Sequence, residues 1–175
     1  MSPSPEITIR RLHTVGDREV AGLAELLIDV VDNDPGVGFL HPLEPAKAQE
    51  FWRGVADDVA ARRRALLVAE DDAGIVGTVQ LGLAQPENQP HRADLAKMLV
   101  HRRARRRGLG GALLEAAEQL ARDCGKTLLV LDTNTGSDAE RLYVRKGWVR
   151  VGEIPDYSVQ PRGGLRATTV FYKTV

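Results

Sequence analysis

Residues 100–121 read VHRRARRRGLGGALLEAAEQLA. Val100 closes an apolar, strand-like run, five arginines follow within the next seven residues, and Gly108-Leu109-Gly110-Gly111 opens a stretch in which Leu109, Leu113, Ala116 and Leu120 recur with helical period. A glycine-rich turn feeding a helix amino terminus leaves backbone N–H groups without intrahelical acceptors and turns the positive end of the helix dipole outward, which suits a phosphate. The basic character is local. The 175-residue chain holds 24 Lys+Arg against 24 Asp+Glu, so the molecule as a whole has no electrostatic reason to seek nucleic acid or an anionic membrane.

Working outward, the length suits one domain spanning residues 1–175. The single Cys124 excludes an internal disulfide framework, and no Cys/His spacing suggests a metal. The amino end, MSPSPEITIRR, has no apolar core of a signal sequence, and no later run approaches the roughly 18 apolar residues of a membrane span. A cytoplasmic protein is expected.

EITIRRL alternates as a first strand, and GDREVAGLAELLIDVVDN repeats Val20, Leu23, Leu27, Val30 and Val31 as a helix. The turn-rich DPGVGFLHPLEP leads to Pro45, suited to the first turn of a second helix carrying Phe51, Val55 and Val59 and ending in Arg62-Arg63-Arg64. ALLVAED and IVGTVQLGLAQ flank a turn as a hairpin, and RADLAKMLV follows the loop PENQPH as a strand. After the helix from Leu109, TLLVLDT is a buried strand, and SDAERLYVRKG is a helix with Ser137 and Glu140 in capping-box spacing and Gly147 at its end. WVRVGEIPDYS and ATTVFYKTV close the chain. The order β-α-α-β-β-β-α-β-α-β-β predicts an α/β (α+β) fold with about seven strands and four helices, its mixed, mostly antiparallel sheet carrying the ligand near the middle.

Three phosphate-binding designs compete for the loop. The Walker pattern fails, because one residue separates Gly108 from Gly110 and no Lys-Ser/Thr follows. The dinucleotide fingerprint places Gly108-x-Gly110 before a helix and Asp132 at a later strand end, but its third glycine position is Leu113, and seven residues separate the glycines from the strand. The third pattern is Arg/Gln-x-x-Gly-x-Gly/Ala, met by Arg105-x-x-Gly108-x-Gly110 directly after Leu99-Val100. With LLVLD and the run Ala139-x-x-x-Tyr143-x-x-x-Gly147-Trp148, residues 92–150 resemble the GNAT N-acetyltransferase superfamily. GVGFL, LDTNTGSDAERLY and VGEIPDYSVQPRGGLRATTVFYKT further resemble its tabtoxin-resistance branch, whose members acetylate a dipeptide-like β-lactam toxin.

The resemblance implies a GNAT-like sheet splayed between strands 4 and 5, with acetyl-CoA as cofactor and no metal. Its pyrophosphate would lie on Arg105, Arg106, Arg107, Gly108, Leu109, Gly110 and Gly111, and its pantetheine against Met98, Leu99 and Val100. Arg102, Arg103 and Arg107 equally read as a solvated charged face. The backbone N–H near Leu99 would polarise the thioester carbonyl. Tyr143 matches the family tyrosine that serves the leaving sulfur; its plain reading is a core-edge aromatic. A lysine-like amine is neutral in only about one molecule in 10³ at pH 7. Asp132 is therefore a candidate base or ammonium anchor, or else a strand-end carboxylate. The asparagine that many relatives carry seven residues before the tyrosine, a cofactor or pantetheine contact in the family, is Gly136 here, and Asn134, two residues away, is the candidate cofactor-binding residue in its stead.

Phe39, Trp52, Asp132 and Tyr157 are the candidate acceptor pocket, although Phe39 and Trp52 also suit a core. The expected partner is a small-molecule amine, with the terminal strand TTVFYKTV a candidate for pairing two subunits into a homodimer. A catalytically inactive acetyl-CoA-binding protein and a dinucleotide-binding oxidoreductase are the alternatives.

Overall fold

The computed structural model describes residues 6–33 and 36–175. The amino-terminal MSPSP and Asp34-Pro35 of the turn-rich loop lie outside the described residues. The elements run β1 (Thr8–Leu12), α1 (Asp17–Asn33), α2 (Pro45–Ala60), β2 (Arg64–Asp71), β3 (Gly74–Gly82), β4 (Arg92–Val100), α3 (Leu109–Asp123), β5 (Leu128–Asn134), α4 (Asp138–Arg145), β6 (Val149–Val159) and β7 (Leu165–Thr174). All seven strands join one sheet in the order β1-β2-β3-β4-β5-β7-β6, antiparallel except where β4 meets β5. This is the mixed architecture that the element order predicts.

The apolar run of β2 is continuous because both faces of the strand are covered. Ala65, Leu67 and Ala69 join the core beneath α3, while Leu66 and Val68 join the core beneath α1 and α2. Fully buried Leu23, Leu26 and Leu27 of α1 and Leu113 and Leu114 of α3 lie in these two layers, each burial contributing about 1.5–3 kcal/mol. Glu118 is the charged exception on α3: it accepts from Trp148 Nε1 at 3.1 Å and from Lys173 Nζ at 2.9 Å, tying α3 to β7.

Two expectations need correction. The second helix stops at Ala60, because Arg62 turns into the left-handed region at φ 58°. Arg64 opens β2 instead and returns its guanidinium to Asp58 at 3.2 Å and Gln80 at 2.7 Å. The terminal strand β7 lies between β5 and β6, so both its edges are occupied and it cannot pair two subunits. The edge strand on that side of the sheet is β6, which exposes Val149, Val151 and Ile154. No helix of the described residues is long and apolar enough to cross a membrane.

Candidate active site

Parallel pairing of β4 with β5 is limited to Arg92–Leu128, Ala93–Leu129 and Asp94–Val130. Beyond that point the strands diverge. The β3–β4 register slips between Gln80–Ala96 and Thr78–Leu99, and Lys97 occupies the bulge with φ 50°. A bulge of this kind bends its strand and leaves a residue outside the ladder. The resulting gap is a cleft of about 540 Å³, walled by Met98, Leu99 and Val100 on one side and by Asp132, Thr133 and Asn134 on the other.

At the carboxyl end of β4 the chain makes a 3₁₀ turn, Arg102–Ala104, and reaches α3 through Gly108, which caps the helix at φ 77°. No side chain caps α3, and the first intrahelical backbone bond shown there is from Ala112 N–H to Gly108 C=O. The N–H groups of Leu109, Gly110 and Gly111 therefore lack helical acceptors. Arg106, Arg107 and Gly108 are exposed. Gly110 has a packing reason of its own, since a Cβ there would lie 3.2 Å from Leu142 of α4. The arginines divide. Arg105 donates from Nε to Val100 C=O at 3.1 Å and folds the loop back on the strand. Arg102 binds Asp29 of α1 at 2.9 Å, and Arg103 pairs with Asp71. Those two anchor the loop rather than forming a purely solvated face.

Alternation along β5 sends Leu129 and Leu131 to the α3 side, so Asp132 and Asn134 face α1 and α2. Asp132 is exposed in the cleft and accepts a hydrogen bond from Thr168 Oγ1 of β7 at 3.0 Å. Asn134 donates to Gly36 C=O at 3.2 Å and ties β5 to the loop after α1. Tyr143 enters from α4, which Ser137 starts by accepting from Glu140 N–H at 3.1 Å. Its ring packs on Trp148 and Phe171, with centroids at 5.7 and 5.9 Å. Burial, with a smaller push from the Asp132 charge, raises the phenol far above the ordinary tyrosine range, so its proton stays in place. Tyr157 is exposed at the cleft rim.

Trp52 is not in the cleft. It is 0% exposed, because its position on α2 faces the sheet, and its indole N–H is buried without an acceptor. Phe39 is half-buried against Phe51, edge to face at 5.2 Å, and Phe51 meets Trp52 at 5.0 Å. This aromatic row stands behind the cleft, with Lys97 Nζ 5.8 Å from the Phe39 ring centre and 5.7 Å from that of Phe51. Burial lowers the Lys97 ammonium below the ordinary lysine range, partly opposed by the Asp132 charge. Sequence reasoning missed Lys97 and Arg166, both cleft-lining; the visible signal for the first was a lysine inside the apolar run AKMLV.

This splayed sheet with an uncapped helix start beside the gap can be set against known proteins. The sequence profile of the Acetyltransferase (GNAT) family matches residues 29–148. The chain belongs to the GNAT acetyltransferase family. It is 30% identical over 129 residues to the uncharacterized N-acetyltransferase of the hisH-hisA intergenic region of Azospirillum brasilense, covering 73% of this chain and 75% of that one. Among solved structures, the ribosomal-protein-alanine N-acetyltransferase of Brucella melitensis superposes with a TM-score of 0.77 at 21% identity, covering 96% of this chain and 99% of that one. The protein yncA of Salmonella typhimurium, solved with its cofactor acetyl-CoA, superposes with a TM-score of 0.75 at 19% identity, covering 96% and 93%. These GNAT relatives share the fold described above.

Proposed function

We propose that this GNAT enzyme transfers the acetyl group of acetyl-CoA to the primary amine of a small molecule in the cytoplasm, with an amino-acid-like toxin of the dipeptide β-lactam kind as the acceptor class. The observation that carries the reading is the β4–β5 gap lined by the largely buried Tyr143 and by the exposed Asp132 carboxylate. The loop fits a pyrophosphate: Leu109, Gly110 and Gly111 offer N–H donors, and each charge-assisted bond of this type is worth roughly 1.5–3 kcal/mol. Arg105, Arg106 and Arg107 add positive charge beside them. Met98, Leu99 and Val100 present a strand edge free of β5, suited to the amide arm of the cofactor and to polarising a carbonyl. Asn134 supports the same wall.

Acetyl-CoA supplies the activated acetyl group and a thiolate that must leave. Asp132, held by Thr168, is an acceptor-only group that orients the incoming ammonium. Once the amine has lost a proton to Asp132 or to solvent, its lone pair forms the C–N bond and the C–S bond breaks toward sulfur. Tyr143 would hydrogen-bond or protonate the departing sulfur, and the second proton shed by the acylated nitrogen would pass to Asp132 or solvent and restore the phenol. Tyr157 closes the acceptor side of the cleft.

Paired thermal melts test the assignment. A hundredfold excess over Kd stabilises a protein by about 2.7 kcal/mol, so CoA is expected to raise the melting temperature by about 5–10 °C and NAD(P) by nothing. Stabilisation by NAD(P) alone would replace the reading with the oxidoreductase. CoA binding without thiol release from acetyl-CoA across an amine panel would leave an inactive binding protein. Gly108→Val is a companion test. The left-handed cap costs a side chain about 1–2 kcal/mol, so CoA affinity should fall roughly 5- to 30-fold in calorimetry; unchanged affinity removes the loop from the cofactor site.

A further inference from the structure

The charges lining the cleft do not balance among the described residues. Asp138 and Arg141 pair with each other at the start of α4. That leaves Asp132 as a single carboxylate and two cations, Lys97 and Arg166. Arg166 lies on β7 two residues before Thr168, which binds Asp132, so strand alternation puts its side chain on the Asp132 face. Neither the Lys97 nor the Arg166 side chain makes an ion pair or hydrogen bond among the described residues.

Lys97 is the more demanding of the two. Its ammonium is half-buried over two phenyl rings, within electrostatic range of Asp132 but not in contact with it. A charge withdrawn from water without a bonded partner is costly, and a cation–π contact returns only part of that cost. The bulge of β4 nevertheless aims this residue into the gap. What would complete the arrangement is a group carrying one positive and one negative charge a few bonds apart, inserted between Asp132 and Lys97.

We propose that the acceptor bears a free carboxylate beside its amine, held by Lys97 and Arg166 while Asp132 holds the amine, so that amino acids and short peptides with free carboxyl ends form the substrate class. The inference rests on the acetyltransferase reading of the cleft. It disfavours polyamines, whose second charge would meet Lys97 with the same sign.

The test uses the full chain with acetyl-CoA and three sets of probes: common L-amino acids and alanyl dipeptides, their carboxamides, and spermidine. Thiol release and product mass are the readouts. Loss of a charge-assisted hydrogen bond corresponds to roughly 10- to 100-fold, so acids should exceed their own amides in kcat/KM by that factor. Lys97→Met should collapse the acid-to-amide ratio toward one, Arg166→Gln should lower it partway, and Lys97→Arg should retain most of it. A general structural defect would lower both members of each pair alike and leave the ratio unmoved, which overturns the inference. Amides turned over as fast as acids, or spermidine acetylated while acids are not, overturns the inference alone. Cofactor-induced stabilisation with no acetylation of any probe overturns the acetyltransferase reading and this inference with it.

Discussion

Tyr143→Phe is expected to lower kcat by roughly 10²–10⁴-fold, the usual contribution of a positioned acid, with little change in stability or in cofactor affinity. The ring is 4% exposed and packs on Trp148 and Phe171, and phenylalanine keeps those contacts. No hydrogen bond ties the hydroxyl to the described protein, so removing it strands no partner. On the proposed mechanism, what is lost is the proton that serves the departing sulfur. Because burial raises the phenol's pKa, the proton is held throughout pH 6–9, and the fold-loss should be the same at every pH in that range. The same shift makes the buried, neutral phenol a source of stability that is present below the ordinary tyrosine pKa of about 10 and is lost only as pH rises beyond it. Steady-state kinetics across pH 6–9 are decisive: an unchanged kcat would remove Tyr143 from the chemistry and return it to the core-edge reading.

Trp52→Ala should cost about 3–5 kcal/mol of folding stability, the largest effect expected from any side chain on the α1–α2 side of the sheet. For a chain of this length that corresponds to a fall of about 6–20 °C in melting temperature. Since native proteins are stable by only about 5–15 kcal/mol, a large share of the margin would go. The folded fraction should keep its KM for the acceptor, because Trp52 does not line the cleft. Trp52→Phe should be much milder, since it discards an indole N–H that is buried without an acceptor along with part of the ring. Calorimetry together with kinetics separates the alternatives. A stable Trp52→Ala variant with a raised acceptor KM would restore the tryptophan to the pocket.

Helix α1 was legible because its apolar positions repeat every three to four residues, and α4 because Ser137 and Glu140 satisfy a helix start within one turn. The loop from Arg105 to Gly111 was legible for the same reason: its chemistry is local, a left-handed glycine followed by unbonded N–H groups. The Asp132 side of the cleft was not. Asp132 could be named from its place at a strand end, but the hydroxyl that holds it, Thr168, is 36 residues away. Arg102 and Arg103 read as surface charge until Asp29, 73 residues from Arg102, and Asp71 came into reach. Trp52 and Phe51 are neighbours with the same apolar character, and only the direction of the α2 axis decides that one is sealed in the core and the other half-buried. Lys97 shows the division most sharply. Its sequence neighbours specify a strand, whereas the bulge that turns its ammonium toward the gap arises from a register slip against β3. Periodicity, capping and turn chemistry act over a few residues and are written in the chain order. Register, strand divergence and charge pairing depend on distances between segments that the chain order does not contain, so the tertiary structure alone decided which charges face the cleft.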